Sequence, residues 1–360
     1  ERFAKTLAAK SDHVRQLSFG SSVEGRSLTG LVLANPMIGS PADLSTDERL
    51  VIFLLGNIHA GECAGKEAIL GLARDLSIGD NRALLKHFIL VALPNLNVDG
   101  NEQQGPHHRP GQIGPIEGTG LRENAQGLDL NRDFVKLETP EVRALVKAIH
   151  EWDPHLFLDT HTTNGSRHRY ALTYDIANNP AAPLAPRDWL RKTLLPQVTE
   201  NLAQNNLNIF FYGNFNKEHT RWTTFGHEPR YSSEYVGLRG RLAILSEAYS
   251  YISYRERIAA HRAFILETLR VLASEGPVVS ALLKRADSEI PRTQSIRAKN
   301  SPRPKKVTIL GYELDTEDQS QKKSQPRDYV VEHYANFQST LETKRPYAYL
   351  LGADYGRTAQ

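Results

Sequence analysis

The sequence predicts an α/β protein: one large domain with parallel strands, followed by a small C-terminal β extension. Three observations carry this expectation. The segment LVIFLL (50–55), the periodic stretch AGKEAILGLARDL (64–76) and the segment FILVALPNL (88–96) read as strand, helix and strand, the order of a parallel unit. The 360 residues are 40% hydrophobic and 24% charged, the balance of a chain with a large core. From about residue 285 the composition turns to Arg, Lys, Ser, Pro and Gln, which interrupts that pattern.

Taken in order, VRQLSF (14–19) and LTGLVLA (28–34) are short, apolar or β-branched, and bounded by turn residues, so they join 50–55 as opening strands. The glycine- and proline-rich stretch 98–128 shows no periodicity and carries the cluster GPHHRPGQ; so long an irregular segment serves a site or is disordered. PEVRALVKAIHEW (140–152) reads as a helix opened by Pro140, HLFLDT (155–160) as a strand, and 187–206 as a helix interrupted by Pro196. NIFFYG (208–213) and LAILSE (242–247) read as strands, and 254–276 as a long helix that Gly276 and Pro277 stop. Residues 1–284 are thus expected to form the main domain. Residues 285–360 are expected to be a linker and a small β unit, which need not be complete, built from VTILGYEL (307–314) and PYAYLL (346–351).

A net charge of +3 leaves no nucleic-acid footprint and no polybasic membrane patch. No apolar run approaches the roughly 20 residues of a membrane span. Cys63 is the single cysteine, so any metal must be held by His, Asp and Glu. Glu1 in place of Met fits a processed or trimmed N-terminus, and a secreted or periplasmic location is expected ahead of a cytoplasmic one. The oligomeric state is not encoded legibly.

The first chemical signal is GNIHAGECAGKEA, where His59 and Glu62 stand three residues apart between a strand and a helix. On the first turn of a helix such positions share a face, so an imidazole and a carboxylate can hold one Zn²⁺ together. Catalytic zinc takes three protein ligands and a water. His161, at the C-terminal end of a strand in HLFLDTHTTNG, is the best third candidate. His107 and His108 could line the entrance, while His155, His168, His219 and His227 have no partner at ligand spacing and read mostly as surface residues.

HAGE, PNLNVDG, GLDLNRDF with PE close behind, DTHTTNG and LSEAYSY occur in that order. Together they resemble the zinc metallocarboxypeptidases related to carboxypeptidase A, over roughly residues 15 to 275, and SSVEGRSL fits that family's opening strands. The resemblance implies a mixed, largely parallel twisted sheet flanked by helices on both faces. It implies one zinc ion on His59, Glu62 and His161, with Asp129 accepting a hydrogen bond from His59. It implies that Asn131 and Arg132 hold the terminal carboxylate of a peptide substrate, since a guanidinium grips a carboxylate through two charge-assisted hydrogen bonds. Arg122 is similar to the family's oxyanion-stabilising arginine, at a shorter spacing to DLNR than in carboxypeptidase A, and Arg109 competes for that role. Glu247 falls where the family carries the glutamate that takes a proton from the attacking water. Tyr231 or Tyr235 would be the mobile substrate-binding tyrosine; neither has the family's spacing to Glu247, and Tyr231 is preferred.

The expected reaction is hydrolysis of the C-terminal peptide bond of a peptide with a free carboxylate. Its rivals are a desuccinylase or aspartoacylase-type deacylase, an amidase on cell-wall or γ-glutamyl peptides, and an inactive binding module on the same fold.

Overall fold

The computed structural model describes residues 1–112, 114–289, 291–313, 325–348, 350 and 352. Thirteen strands are found among them: β1 (Val14–Ser21), β2 (Ser27–Leu33), β3 (Leu50–Gly56), β4 (Phe88–Leu93), β5 (Leu156–Thr163), β6 (Leu172–Ile176), β7 (Ile209–Phe211), β8 (Asn214–Phe215), β9 (Arg221–Thr223), β10 (Leu242–Tyr249), β11 (Thr293–Pro302), β12 (Val307–Tyr312) and β13 (Pro326–Lys344). The helices are α1 (Arg2–Ala8), α2 (Ala64–Ile78), α3 (Val98–Glu102), α4 (Pro140–Trp152), α5 (Leu184–Trp189), α6 (Leu195–Ala203), α7 (Ser232–Leu238) and α8 (Tyr254–Ser288).

The main sheet runs β1-β2-β4-β3-β5-β10-β6-β7. Its centre, β4-β3-β5-β10, is parallel; β2 and β6 pair antiparallel on its two sides. Period-two alternation explains why both faces are covered. On β3, Leu50, Ile52 and Leu54 enter one core with Ile69 and Leu72 of α2 and Phe264 and Leu269 of α8. Val51, Phe53 and Leu55 enter the opposite core with Val142 and Leu145 of α4. Every β3 residue is buried.

The carboxyl ends of β3, β5 and β10 therefore open side by side at one edge, the crevice where open α/β sheets bind ligands. Close approach of α2 to β5 fixes its geometry. Gly65, in the first turn of α2, lies so near Thr160 that a Cβ there would meet the threonine hydroxyl at 2.0 Å.

The far-apart opening motifs meet in space. The β1–β2 turn docks on α3, with Ser22 Oγ donating to Asp99 at 2.7 Å and the Glu24 amide at 3.0 Å. Glu141, in the first turn of α4, accepts from the Val23 amide at 3.2 Å and from Asn124 Nδ2 at 3.2 Å.

A second sheet runs β11-β13-β9-β8, with β12 also on β13. It joins the C-terminal strands to the main domain, because β9 pairs in parallel with Glu332–Tyr334. Trp222, Tyr170, Ile309 and Val331 form its small core. Of PYAYLL, residues 346–348 and 350 are not in a strand, and the other two lie outside the described residues, as does the whole run from 314 to 324.

Two helix expectations are corrected. Pro196 does not break 187–206 by itself: α5 and α6 are joined through a π-helical turn, Leu190–Leu194, with Pro196 in the first turn of α6, where its missing N–H is harmless. Gly276 and Pro277 do not stop α8, which continues to Ser288. Burial of Val279, Leu283 and Ala286 overrides the proline. Pro277 is itself exposed and removes one helical hydrogen bond. Pro277→Ala should therefore raise stability by about 1–3 kcal/mol, read as a higher urea midpoint; an unchanged or lower midpoint contradicts this.

Candidate metal centre and peptide cleft

His59 and Glu62 lie on a tight turn just before α2, not on its first helical turn as expected. The Glu62 amide donates to the His59 carbonyl at 3.0 Å, and the turn is made by Gly61 at φ +108°, a conformation side chains rarely adopt. His161 stands within β5, which extends to Thr163. Ligand atoms of His59, Glu62 and His161 all lie within 4.8 Å of one another, and all three residues are buried.

The hydrogen bonds fit a metal. His59 Nδ1 faces Glu62 Oε1 at 3.1 Å and His161 Nδ1 faces Glu62 Oε2 at 3.0 Å. Each far nitrogen is held by a carboxylate: His59 Nε2 by Asp129 at 2.9 Å, and His161 Nε2 by Asp159 at 2.9 Å. Protons on both Nε2 atoms leave the two Nδ1 lone pairs directed at the carboxylate, the tautomer a divalent cation requires. Without an ion, protons must bridge these groups. Burial opposes a charge on His161, but Asp159 and Glu62 outweigh it and hold its pKa well above the ordinary value. Burial likewise works against the Glu62 carboxylate, yet the imidazoles of His59 and His161 win and hold its pKa well below the usual range. A site that favours a protonated His161 beside an ionised Glu62 is one a dication can fill by displacing protons.

Asp159 was not singled out in the sequence, though the signal was there: it precedes His161 by two residues, the spacing that puts both on one face of a strand. It is fully buried and also accepts from the Ser232 hydroxyl.

The remaining expected residues gather in the same cavity of about 220 Å³, which His59, Glu62, Arg122, Asn131, Arg132 and Glu247 help to line. Asn97 positions the loop before DLNR by donating to the carbonyls of Arg122 and Glu123 at 3.0 Å each. Arg122 grips Asp129 through Nε at 3.0 Å and Nη2 at 2.9 Å. Arg109, its competitor, comes in from the glycine-rich loop and donates to Glu62 Oε1 at 2.7 Å, so both arginines reach the centre. Asn131 accepts from the Ser232 amide at 2.8 Å, and the Arg132 guanidinium lies 4.7 Å over the Tyr231 ring. Tyr231 lines the cavity. Tyr235 turns away, packing on Phe134 and sharing a 2.9 Å hydrogen bond with His150.

Glu247 sits in β10 directly opposite His161 in the parallel ladder. Its Oε2 is buried and has no hydrogen-bond partner. Burial pushes its pKa up to about 8; Glu62 and Asp159 add to the rise, against the pull of His161 and Arg122.

The other histidines named from the sequence stay apart from the centre, whereas His261, buried on α8, bonds the His161 carbonyl at 2.9 Å. His107 and His108 are exposed, and His108 Nδ1 bonds the Gln103 carbonyl at 2.8 Å. His155 accepts the Val51 amide at 3.0 Å, and His219 and His227 are partly buried. His168 is not a surface residue but is buried, stacked 4.2 Å from Tyr249 with Trp222 at its edge.

The zinc carboxypeptidase family model matches residues 1–192, more than half of the chain. The chain belongs to the zinc carboxypeptidase family. It is similar to carboxypeptidase D of Mus musculus, 36% identical over 171 residues, covering 40% of this chain and 12% of that protein. It is also similar to carboxypeptidase Z of Homo sapiens, 34% identical over 155 residues, covering 39% and 22%. The match thus spans about an eighth to a fifth of these relatives' lengths. Among solved structures, a metallo-carboxypeptidase from Burkholderia cenocepacia superposes with a TM-score of 0.56 at 19% identity, covering 76% of this chain and 68% of that one. The carboxypeptidase A of Helicoverpa armigera gives 0.52 at 17% identity, covering 79% and 72%. These likenesses establish the family's fold, and the family's name agrees with the donor set of His59, Glu62 and His161.

If Asp159 fixes the His161 tautomer, Asp159→Asn should weaken zinc affinity roughly 10- to 100-fold. Chelator competition measures this directly, with far-UV circular dichroism to confirm the fold; unaltered affinity would remove Asp159 from the metal's support.

Proposed function

We propose that this chain hydrolyses the last peptide bond of peptides that end in a free carboxylate, using a single zinc ion. The observation that carries the reading is the convergence of His59, Glu62 and His161 ligand atoms within 4.8 Å, in a cavity that Arg132 and Glu247 also line. A zinc ion held there supplies Lewis-acid charge and acidifies a water molecule.

The rest is done by side chains of the chain. Arg132, with Asn131 beside it, binds the substrate's terminal carboxylate, which makes cleavage terminal rather than internal. Tyr231 lies against the Arg132 guanidinium and closes that side of the substrate. Arg122 or Arg109 donates to the oxyanion that develops on the scissile carbonyl. Glu247 takes the proton of the attacking water and delivers it to the leaving amine. Its unpartnered buried oxygen suits that task, because no protein donor has to be displaced before it accepts a proton. Asp129 and Asp159 hold the two imidazoles in the ligating tautomer.

Paired peptides with free and amidated C-termini, offered to the zinc-loaded protein, test the reading. Release of the last residue is expected from the free form, and Glu247→Gln should lower turnover by roughly two to four orders of magnitude while zinc stays bound. Equal cutting of the amidated form would remove Arg132 from its role. Turnover of N-acyl amino acids alone would assign the deacylase reaction instead.

A further inference from the structure

Resting on that reading, we infer that the outer edge of β11 is a docking strand for an acidic stretch of a polypeptide substrate, upstream of the residue to be released. The small net charge of the chain hides an uneven distribution. Between Arg292 and Tyr312 the sequence has six basic residues and no acidic one. The fold strings them along one element: Arg292 precedes β11, Arg297 and Lys299 stand on it, and Lys305 and Lys306 follow it in the turn to β12. These five are exposed, and none is in an ion pair among the described residues. Arg303, the sixth, is turned inward and donates to the Ala335 carbonyl at 2.9 Å. The facing strand offers little to balance them. From Ala335 to Arg345 its only acid is Glu342, opposite Ser295. Nearer the main domain on β13, Asp328 and Glu332 are taken by Arg169 and Arg221.

The backbone of the same strand is open as well. β11 is the end strand of its sheet and pairs only with β13, so among the described residues its outer row of N–H and C=O groups has no strand partner. No residue of β11 is buried. Such an edge binds another extended chain through main-chain hydrogen bonds, and alternate side chains of that chain meet those of the edge. Arg297 and Lys299 stand two residues apart and share a face. Carboxylates on alternate residues of an added strand therefore reach both. A sulfated glycan or a nucleic acid would use the charges and leave the backbone edge unanswered, whereas a polypeptide rich in Asp and Glu uses both.

Position ties this edge to the cleft. Phe337 of β13, opposite Asn300 of β11, packs 4.9 Å from the His227 ring. His227 lies between Phe225 and Tyr231, which line the metal-site cavity, and the Thr224 amide donates to the Tyr334 carbonyl at 3.1 Å. β11 thus starts near the cleft rim at its Asn300 end and runs outward to Arg292, roughly 25 Å away. A substrate whose last residue occupies the cleft can lay an upstream stretch along it.

Three long peptides with a common C-terminal segment test this on the full zinc-loaded chain: one with alternating Glu in its upstream block, one with Gln in place of each Glu, and one with the Glu block N-methylated on its backbone amides. At low salt the Glu peptide should have a KM roughly tenfold below that of the Gln peptide, with kcat unchanged and the advantage fading as salt rises. Arg297→Gln combined with Lys299→Gln should remove that advantage. The same variant should release the last residue of the short C-terminal segment alone as fast as the unaltered protein, which also reports that it is folded. N-methylation should abolish the advantage too. Equal KM for the Glu and Gln peptides, or an advantage that survives the double substitution, would overturn the inference and leave the edge cations as guards against strand pairing. An advantage kept in full by the N-methylated peptide would overturn the docking strand. Tight binding of heparin without any preference for the Glu peptide would overturn it in favour of a polysaccharide. Release from neither the long peptides nor the short segment would sink the peptidase reading itself, and this inference with it.

Discussion

The parallel register between β5 and β10, which sets His161 directly beside Glu247, is the constraint on which the site depends. One residue of slippage would turn one of the two side chains into the opposite core. The register is held from both sides, by β3 pairing with β5 and by β6 pairing with β10. Because β3 ends beside β5, the turn that follows it delivers His59 and Glu62 to the same spot. Gly65 lets α2 start against Thr160 without pushing that turn away. Fold and site are thus one arrangement: buried apolar strands fix the spacing, and polar residues at their carboxyl ends inherit it.

Placing this many ionisable groups in a buried crevice is unfavourable unless each has a partner. Here the partners form a chain, Asp129 to His59 to Glu62 to His161 to Asp159, with every link at 2.9 to 3.1 Å. Glu247 stands at its edge with one oxygen unpaired. Asp159 likewise keeps one buried oxygen unpaired, but its other oxygen is fixed between His161 and Ser232.

Much of this was legible in the sequence, and the reasons for the rest are physical. Strands such as β3 and β4 and the helix α4 announced themselves through unbroken apolar runs and a Thr-Pro start. His59, Glu62, His161 and Glu247 were singled out because ligand-type residues sat just beyond such strands, in the order of a known family. Asp159 escaped notice inside a run that read simply as a strand. The extent of α8 was hidden because its continuation rests on Val279 and Leu283 packing into a distant core, which overrides the local signal of Gly276 and Pro277. The C-terminal strands looked like a separate appendage, since neither composition nor periodicity reveals that β13 pairs with β9, 111 positions earlier in the chain (Glu332 with Arg221).

X-ray absorption at the zinc edge of the purified, zinc-loaded protein probes the metal centre most directly. The account predicts one zinc per chain, surrounded by two imidazoles and by oxygen, with no sulfur, although Cys63 is the neighbour of Glu62 in the chain. Failure to retain zinc, or a sulfur ligand at about 2.3 Å, would contradict it.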